Sequence, residues 1–389
     1  MIKRAIKNFF YFSKTSEALL IFATISGILI ANSIYFDQYQ SFFVDEINLR
    51  SFNIDHDIHF SFKLIIDDFL MAIFFLLIGL ELKREVMVGE LSSRAKLLLP
   101  LIGAIGGVLI PALIFSYFNH ENESNLSGFA IPTATDIAFA YAVVKAFGNK
   151  ISNATKVFLI SLAVVDDLIA IAIIAFFYTD NLNAIYLLYS FVVMFALFLL
   201  NAKNSGSLTL YMLVGLVLWT FVFKSGIHPS VAGVVLAMFI PFKTKSKFLL
   251  EDLAKKLSPY IGFFILPLFA FANSGVRVAD LSMEILMDSL VLGVALGLFL
   301  GKQLGVFSFA FIAIKMKICS LPKGSNWLEF YGVAAITGIG FTMSLFIGNL
   351  AFDNAQVLDK VKVAVLIGSV ASFLFGSLIL VSMRKKKVF

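Results

Sequence analysis

The stretch Phe158–Phe177, FLISLAVVDDLIAIAIIAFF, is long and apolar enough to cross a bilayer as a helix, yet it carries Asp166 and Asp167 at its middle. An ionised carboxylate at the centre of a membrane helix costs about 2.5–3.5 kcal/mol even on lenient insertion scales. Two adjacent carboxylates therefore imply a polar cavity, a bound cation or bound protons. We interpret the rest of the chain as a scaffold that holds this pair.

Composition places this stretch in an integral membrane protein. The chain has 389 residues, of which 60% are hydrophobic and only 14% are charged, and its mean hydropathy is +0.93. Soluble domains carry about 25% charged residues. The single cysteine, Cys319, excludes an internal disulfide framework and any metal site built from several cysteines.

Apolar runs of spanning length recur along the whole chain and predict an all-α protein with twelve transmembrane helices. With both termini in the cytoplasm, 24 of the 31 basic residues fall on inner segments, six on outer segments, and Lys302 within a span. This distribution satisfies the positive-inside rule. The predicted spans are 18–36, 64–82, 97–117, 127–147, 155–177, 184–201, 207–223, 227–242, 260–275, 287–312, 328–350 and 361–383.

The chain is expected to form a single polytopic membrane domain, 1–389, with three distinctive segments outside its spans. Residues 1–15 mix basic and apolar side chains at a spacing typical of an interfacial helix. The apolar segment that follows them is expected to be retained, because it lacks a clear signal-peptide cleavage site. Residues 243–258 are expected to form a basic cytoplasmic loop.

The outer loop, 37–62, contains a stretch with period-two alternation between Phe52 and Phe60. Such alternation predicts a short amphipathic strand or hairpin, which can pair with a second copy of the chain. Four potential metal ligands of this loop, Asp55, His56, Asp57 and His59, leave a metal site as an alternative to a solvated loop.

Two predicted spans have interrupted helices. In the fourth span, Pro132 removes a backbone donor, and Thr133 with Asp136 predicts a capping box that restarts the helix. In the eleventh span, the stretch 338–344, GIGFTMS, places two glycines and two hydroxyls at comparable depth. Interrupted helices in corresponding positions of two halves indicate a transporter's substrate site, whereas either break alone is consistent with an ordinary kink.

The tenth span contributes a buried cation. Glycines recur there at every fourth residue from Gly293 to Gly305, which predicts a smooth face that lets a neighbouring helix approach closely. Lys302 lies beside that face. A lysine at this depth either extends to the membrane surface or pairs with a carboxylate, and the candidates are Asp136, Asp166 and Asp167.

Five motifs resemble the bacterial NhaA-type sodium/proton antiporters, in the same order and spacing from the first span to the last. They are IPTATDIAFA, SLAVVDDLIAIAI, FFLLIGLELKREVMVGEL, ILPLFAFANSGV and GIGFTMSLFI. The resemblance implies inverted repeats on spans three to five and ten to twelve, with discontinuous helices four and eleven crossing near the midplane. It also implies electrogenic, pH-regulated exchange of cytoplasmic Na⁺ or Li⁺ for external H⁺ in the inner membrane, by a homodimer without a resident cofactor, enzymatic activity or nucleic-acid partner.

The resemblance also implies roles for individual residues. Asp166 and Asp167 become the ion-binding pair, with Asp167 as the principal sodium ligand and therefore a site of the transported metal ion. Thr135 and Asp136 become neighbouring contributors, and Lys302 becomes the buried lysine. The positions assigned to gating and pH activation on the cytoplasmic side are Asp68, Glu81, Arg84, Glu85 and His228. Ala254, Lys255 and Ser258 replace side chains that relatives can carry as acids or histidines, so the pH set point does not follow from the resemblance.

Several alternatives remain at this stage. Asp136 either contributes to the ion site or neutralises the positive ends of the broken half-helices. A sodium-coupled symporter of an organic anion could share crossed broken helices, although the two aspartates and one lysine leave few groups that could bind an anionic solute. An intramembrane aspartyl protease is disfavoured because the stretch from Gly338 to Phe341 lacks the required aspartate. A channel is disfavoured because the chain has one polar centre rather than a ring of filter groups.

Overall fold

The computed structural model describes residues 13–45, 61–89, 94–179, 182–244, 248–277 and 282–383. The interfacial helix predicted at 1–15 falls almost wholly outside these residues, as do the predicted strand of the outer loop and its possible metal ligands. The described residues are helices joined by short turns, which agrees with the predicted all-α class.

The first half of the chain begins with two helices joined by a sharp bend and ends with the long helix that carries the paired aspartates. Its third helix contains a π-helical turn, Ile65–Leu70. The elements are α1 (Ser13–Ala31), α2 (Phe36–Val44), α3 (Phe62–Leu64, the π turn, and Met71–Val88), α4 (Arg94–Asn119), α5 (Glu123–Leu126), a 3₁₀ segment (Ser127–Thr133), α6 (Ile137–Ala146) and α7 (Asn153–Phe177).

The second half contains two further π-helical turns, Ile261–Ile265 and Gly297–Gly301. The elements are α8 (Ala184–Ala202), α9 (Leu208–Lys224), α10 (Ser230–Phe239), α11 (Leu249–Tyr260, the first of these turns, and Leu266–Asn273), α12 (Met283–Leu286), α13 (Ser289–Leu296, the second turn, and Lys302–Lys315), α14 (Trp327–Ile336), α15 (Phe341–Ala351) and α16 (Ala355–Ser382).

Among the described residues, a helix occurs at each predicted span. Within the described ranges, seven helices are long and apolar enough to cross a membrane, and two bent helix pairs raise this number to nine. Two shorter apolar helices, α9 and α10, and the charge-bearing α3 lie at three further predicted spans, which is consistent with the predicted count of twelve. The chain is therefore a multi-pass membrane protein.

Two of the predicted non-spanning segments differ from expectation. The start of the outer loop forms α2, which is bent by 116° from α1. The predicted basic loop is helical from Leu249 onward, so the ninth span begins about ten residues early. This first part of α11 buries Leu250 and Leu253 while Lys255 pairs with Glu251 one turn away. An amphipathic helix with such i, i+4 pairs is stable without a fully apolar sequence.

The chain divides into two compact units. The first comprises Met1–Arg84 and Ile174–Ala279. Within it, the ammonium group of Lys83 donates to the carbonyl oxygens of Met238 and Ile240, each at 2.6 Å, and so stabilises the end of α10.

The second unit comprises Glu85–Ile173 and Asp280–Phe389. Here the predicted glycine face of α13 packs against α4. A Cβ atom on Gly305 would overlap the backbone of Gly106, and one on Gly301 would lie 2.7 Å from the Cα of Pro111. Because neither position leaves space for a side chain, the two helices approach closely at the depth of Lys302.

Candidate functional site

Two interrupted helices of the second unit supply backbone near the paired aspartates. In the first, the 3₁₀ segment ends at Thr133, and the chain is extended from 134 to 136 before α6 begins. In the second, α14 and α15 are bent by 42° across the stretch 337–340. Asp136 N donates to the carbonyl of Ile339 at 2.7 Å, so the two breaks lie against each other. Both predicted interruptions are therefore present.

The buried lysine pairs with one of the two aspartates. Lys302 Nζ lies 2.6 Å from Oδ2 of Asp166, and both side chains are almost completely inaccessible to solvent. The prediction that Lys302 is paired rather than extended to the membrane surface is confirmed. It follows that the positive charge of α13 and a negative charge of α7 compensate each other inside the unit.

Thr135 connects this ion pair to the second break. Its Oγ1 lies 2.8 Å from Asp166 Oδ2 and 2.9 Å from the carbonyl oxygen of Thr337. The other carboxylate oxygen of Asp166, Oδ1, is buried and has no hydrogen-bond partner among the described residues. Such an oxygen is costly to bury unless a cation, a proton or a water molecule reaches it.

Asp167 is also buried, with an exposed fraction of 1%. Successive residues of a helix point about 100° apart, so Asp166 and Asp167 present their carboxylates in different directions. This agrees with the expectation that only one of the two meets Lys302. The site therefore holds two carboxylates and one ammonium group with almost no access to solvent.

Asp136 bridges the N-termini of two half-helices. Its Oδ1 accepts a hydrogen bond from Phe139 N at 3.1 Å, and its Oδ2 accepts from Thr342 N at 3.0 Å and from the Thr342 hydroxyl. The predicted capping box was wrong, because Asp136 is itself the N-cap of α6. The hydroxyl of Thr133 instead donates to the carbonyl of Ala130 at 2.8 Å.

The residues assigned to pH activation form two separate groups. His228 Nε2 lies 3.2 Å from Asp68 Oδ1, and His228 Nδ1 lies 2.8 Å from the hydroxyl of Ser230. Glu81, with Arg84 and Glu85, lies in the last turns of α3, about 20 Å along the helix from Asp68. Glu81 and Glu85 are buried. The five residues expected to act together in pH activation thus lie in two groups, one at each end of α3.

Three polar contacts, two in the second unit and one in the first, were not predicted from the sequence. Glu329, at the start of α14, accepts hydrogen bonds from the start of α7. Tyr331 donates to Gln303, the neighbour of Lys302. Asn273 donates to Asp67 in the π turn of α3. Only the first carried a recognisable signal, since Asn326 followed three residues later by Glu329 is typical of a helix N-terminus.

A family model described as Na⁺/H⁺ antiporter 1 matches residues 7–380, which is nearly the whole chain. The chain belongs to the Na⁺/H⁺ antiporter 1 family. Membership of this family confirms the resemblance drawn from the motifs, and the family is one of transporters rather than enzymes.

Full-length relatives agree with the family assignment. The Na⁺/H⁺ antiporter NhaA of Pelagibacter ubique is 44% identical over 392 residues, covering 99% of this chain and 99% of its own. Na⁺/H⁺ antiporter NhaA 2 of Campylobacter jejuni is 48% identical over 361 residues, covering 92% and 94% respectively. NhaA of Aliivibrio salmonicida is 44% identical over 386 residues, covering 98% of each chain. The similarity thus extends over nearly the whole chain.

Proposed function

We propose that this chain exchanges cytoplasmic Na⁺ or Li⁺ for external H⁺ and that the ion site lies at Asp166 and Asp167. The observation that carries this proposal is the buried ion pair of Asp166 with Lys302, beside the hydroxyl of Thr135. Membership of an antiporter family supports exchange over the alternative of symport with an organic anion.

The side chains of the site suit a hard cation. Sodium prefers oxygen ligands, which are supplied here by two carboxylates, the Thr135 hydroxyl and the backbone carbonyls at the helix breaks. We assign Asp167 as the principal sodium ligand, because Asp166 Oδ2 is already occupied by Lys302 Nζ. Oδ1 of Asp166 remains available as a further ligand.

Competition between protons and sodium for these oxygens explains coupling. A carboxylate that holds a proton cannot also serve as an anionic sodium ligand, and a bound sodium ion repels protons. If the site switches between facing the cytoplasm and facing the outside only when sodium or protons are bound, an inward proton gradient drives sodium out. With two carboxylates and one lysine in the core, we propose two protons for each sodium ion.

We assign Asp136 to electrostatic stabilisation of the helix breaks rather than to direct ion binding. Its carboxylate accepts hydrogen bonds from backbone groups at the N-termini of α6 and α15, where the aligned peptide dipoles leave partial positive charge. Thr135, the adjacent residue, is the member of this pair that contacts Asp166.

The two groups on α3 are proposed to regulate exchange by pH. The pairing of Asp68 with His228 supplies one titratable contact, and the sequence Glu81–Glu85 supplies a second cluster of buried charge.

The proposed location is the bacterial inner membrane, with both termini in the cytoplasm. The excess of basic residues on the predicted inner segments supports this orientation. We propose a homodimer whose outer loops pair, in a lipid bilayer and without a cofactor or nucleic-acid partner.

Proton flux in everted membrane vesicles tests the function directly. After respiration has acidified the vesicle interior, addition of Na⁺ or Li⁺ should release protons, whereas addition of K⁺ should not. The matched control is Asp167→Asn, which removes the proposed ligand and keeps the side-chain shape. An equal response to all three ions, or none in vesicles that contain the unmodified protein, would contradict Na⁺/H⁺ exchange.

A further inference from the structure

The half-helix α14 is held at both ends by polar contacts to the elements of the ion site. At its C-terminal end, the carbonyl of Thr337 accepts from Thr135, which also contacts Asp166. At its N-terminal end, Glu329 contacts the first residues of α7, the helix that carries Asp166. Between the two ends, Tyr331 contacts α13, the helix that carries Lys302.

The N-terminal contact is a buried carboxylate. Oε1 of Glu329 accepts from Ser152 N at 2.7 Å and from the Thr155 hydroxyl at 2.8 Å, and neither Glu329 nor Thr155 is accessible to solvent. Glu329 lies in the first turn of its own helix and contacts the start of α7, where the Ser152 hydroxyl accepts from Thr155 N. Two helix N-termini therefore meet at one negative charge, which is favourable for both.

The middle contact reaches the residue next to Lys302. The hydroxyl of Tyr331 donates to Oε1 of Gln303 at 2.8 Å, and Nε2 of Gln303 donates to the carbonyl of Phe299 at 2.6 Å. Phe299 belongs to the π turn that precedes Lys302. In a π turn, the backbone departs from the i→i+4 pattern, so a side chain that bonds one of its carbonyls helps to hold it.

We infer that Glu329 is a positioning residue for the ion site. It fixes the start of α7 against the start of α14. Asp166 and the carbonyl of Thr337 then keep the separation at which Thr135 contacts both of them. Glu329 lies about 12 Å along α14 from Thr337, and Thr155 lies about 16 Å along α7 from Asp166. A helix carries a displacement at one end to the other, so loss of this contact shifts the ligands without removing any of them. This inference rests on the proposed function.

The test measures sodium saturation of exchange in proteoliposomes that contain the full-length protein. For Glu329→Ala, we expect the half-saturating Na⁺ concentration to rise about five- to tenfold, which corresponds to the net contribution of one ordinary hydrogen bond, with little change in maximal rate. Glu329→Gln retains an oxygen acceptor for both donors and should stay within about twofold of the unmodified protein. Glu284→Ala is the matched control, because Glu284 is an exposed acid in the first turn of α12.

Thr155→Val supplies a second route if Glu329→Ala does not insert or fold. It keeps the shape of Thr155 but removes the hydroxyl that donates to Glu329, and it should raise the half-saturating Na⁺ concentration in the same direction. Stabilisation of the purified protein by added Na⁺, measured as a shift in melting temperature, reports binding independently of transport.

Two results would overturn the inference. One is a half-saturating Na⁺ concentration that is unchanged in both Glu329→Ala and Thr155→Val. The other is a Glu329→Gln variant as impaired as Glu329→Ala, since the retained acceptor would then be irrelevant. Absence of sodium-driven flux in the unmodified protein would instead contradict the proposed function, so the two failures are distinguishable.

Discussion

Lys302 Nζ lies 2.6 Å from Oδ2 of Asp166, and neither side chain exposes more than 1% of its surface. In such surroundings, the two charges compensate each other, and removal of one leaves the other without compensation. Breaking a buried pair in this way costs about 3–5 kcal/mol. Removal of either partner alone should therefore destabilise the fold.

A double-substitution cycle tests this pairing. We expect Lys302→Ala to lower the melting temperature of the purified protein, because Asp166 then remains buried as an unpaired anion. The double variant Asp166→Asn with Lys302→Gln should recover much of that loss, because two neutral amides can bond to each other. If the effects of separate Asp166→Asn and Lys302→Gln substitutions simply add, the two residues do not stabilise each other.

Asp167→Asn should abolish exchange while leaving the protein inserted and folded. The substitution removes the charge of the proposed sodium ligand but preserves the shape of the side chain. Sodium-driven proton flux in everted vesicles measures activity, and the melting temperature measures folding. Flux like that of the unmodified protein would exclude Asp167 from the mechanism.

Asp136→Asn should lower the stability of the protein and only reduce exchange, whereas Asp167→Asn should abolish exchange and leave folding intact. An asparagine has one acceptor oxygen, so it cannot serve both Phe139 N and Thr342 N as the carboxylate does. Loss of one helix cap costs about 0.5–2 kcal/mol, and we expect lower stability with reduced but measurable exchange. Thr342→Val is the matched variant, because it removes one donor to the same carboxylate. Complete loss of exchange at unchanged stability would indicate a direct role in ion binding.

Apparent sodium affinity should improve as pH rises, because the empty site then spends less time protonated. One displaced proton gives at most a tenfold improvement per pH unit, or about 1.4 kcal/mol, and two displaced protons give a steeper dependence. Half-saturating Na⁺ concentrations measured across a pH series report this slope. A sodium affinity independent of pH would contradict competition at a shared site.

Exchange of two protons for one sodium ion should respond to membrane voltage. Each cycle then moves net positive charge inward, so a potential that is negative inside accelerates sodium extrusion. In proteoliposomes held at zero pH gradient, a potassium-diffusion potential should drive sodium movement. Its failure to do so would exclude the two-proton cycle and leave electroneutral exchange.

Sequence patterns predicted the spans, both helix breaks and the pairing of Lys302, because these follow from hydropathy, from proline and glycine, and from the cost of a buried charge. They did not predict which residue caps α6. Thr133 and Asp136 are both capable caps, and the choice depends on Thr342, which is distant in sequence but adjacent in space. The contact of Glu329 with Thr155 joins residues 174 positions apart, so no local pattern could indicate it. The beginning of α11 was predicted to be a loop because it is rich in charged residues, whereas it is an amphipathic helix that buries only one face.

The π turn Gly297–Gly301 gives Lys302 its direction. Such a turn closes with i→i+5 bonds and so accommodates one more residue than a regular turn. Each residue of an α-helix rotates the next side chain by about 100°, so the same sequence in an unbroken α-helix would turn Lys302 by roughly this angle relative to the residues before the turn. The orientation of the lysine relative to the glycines at the start of α13 is thus set by this one turn, and not by the spacing of these residues in the sequence alone.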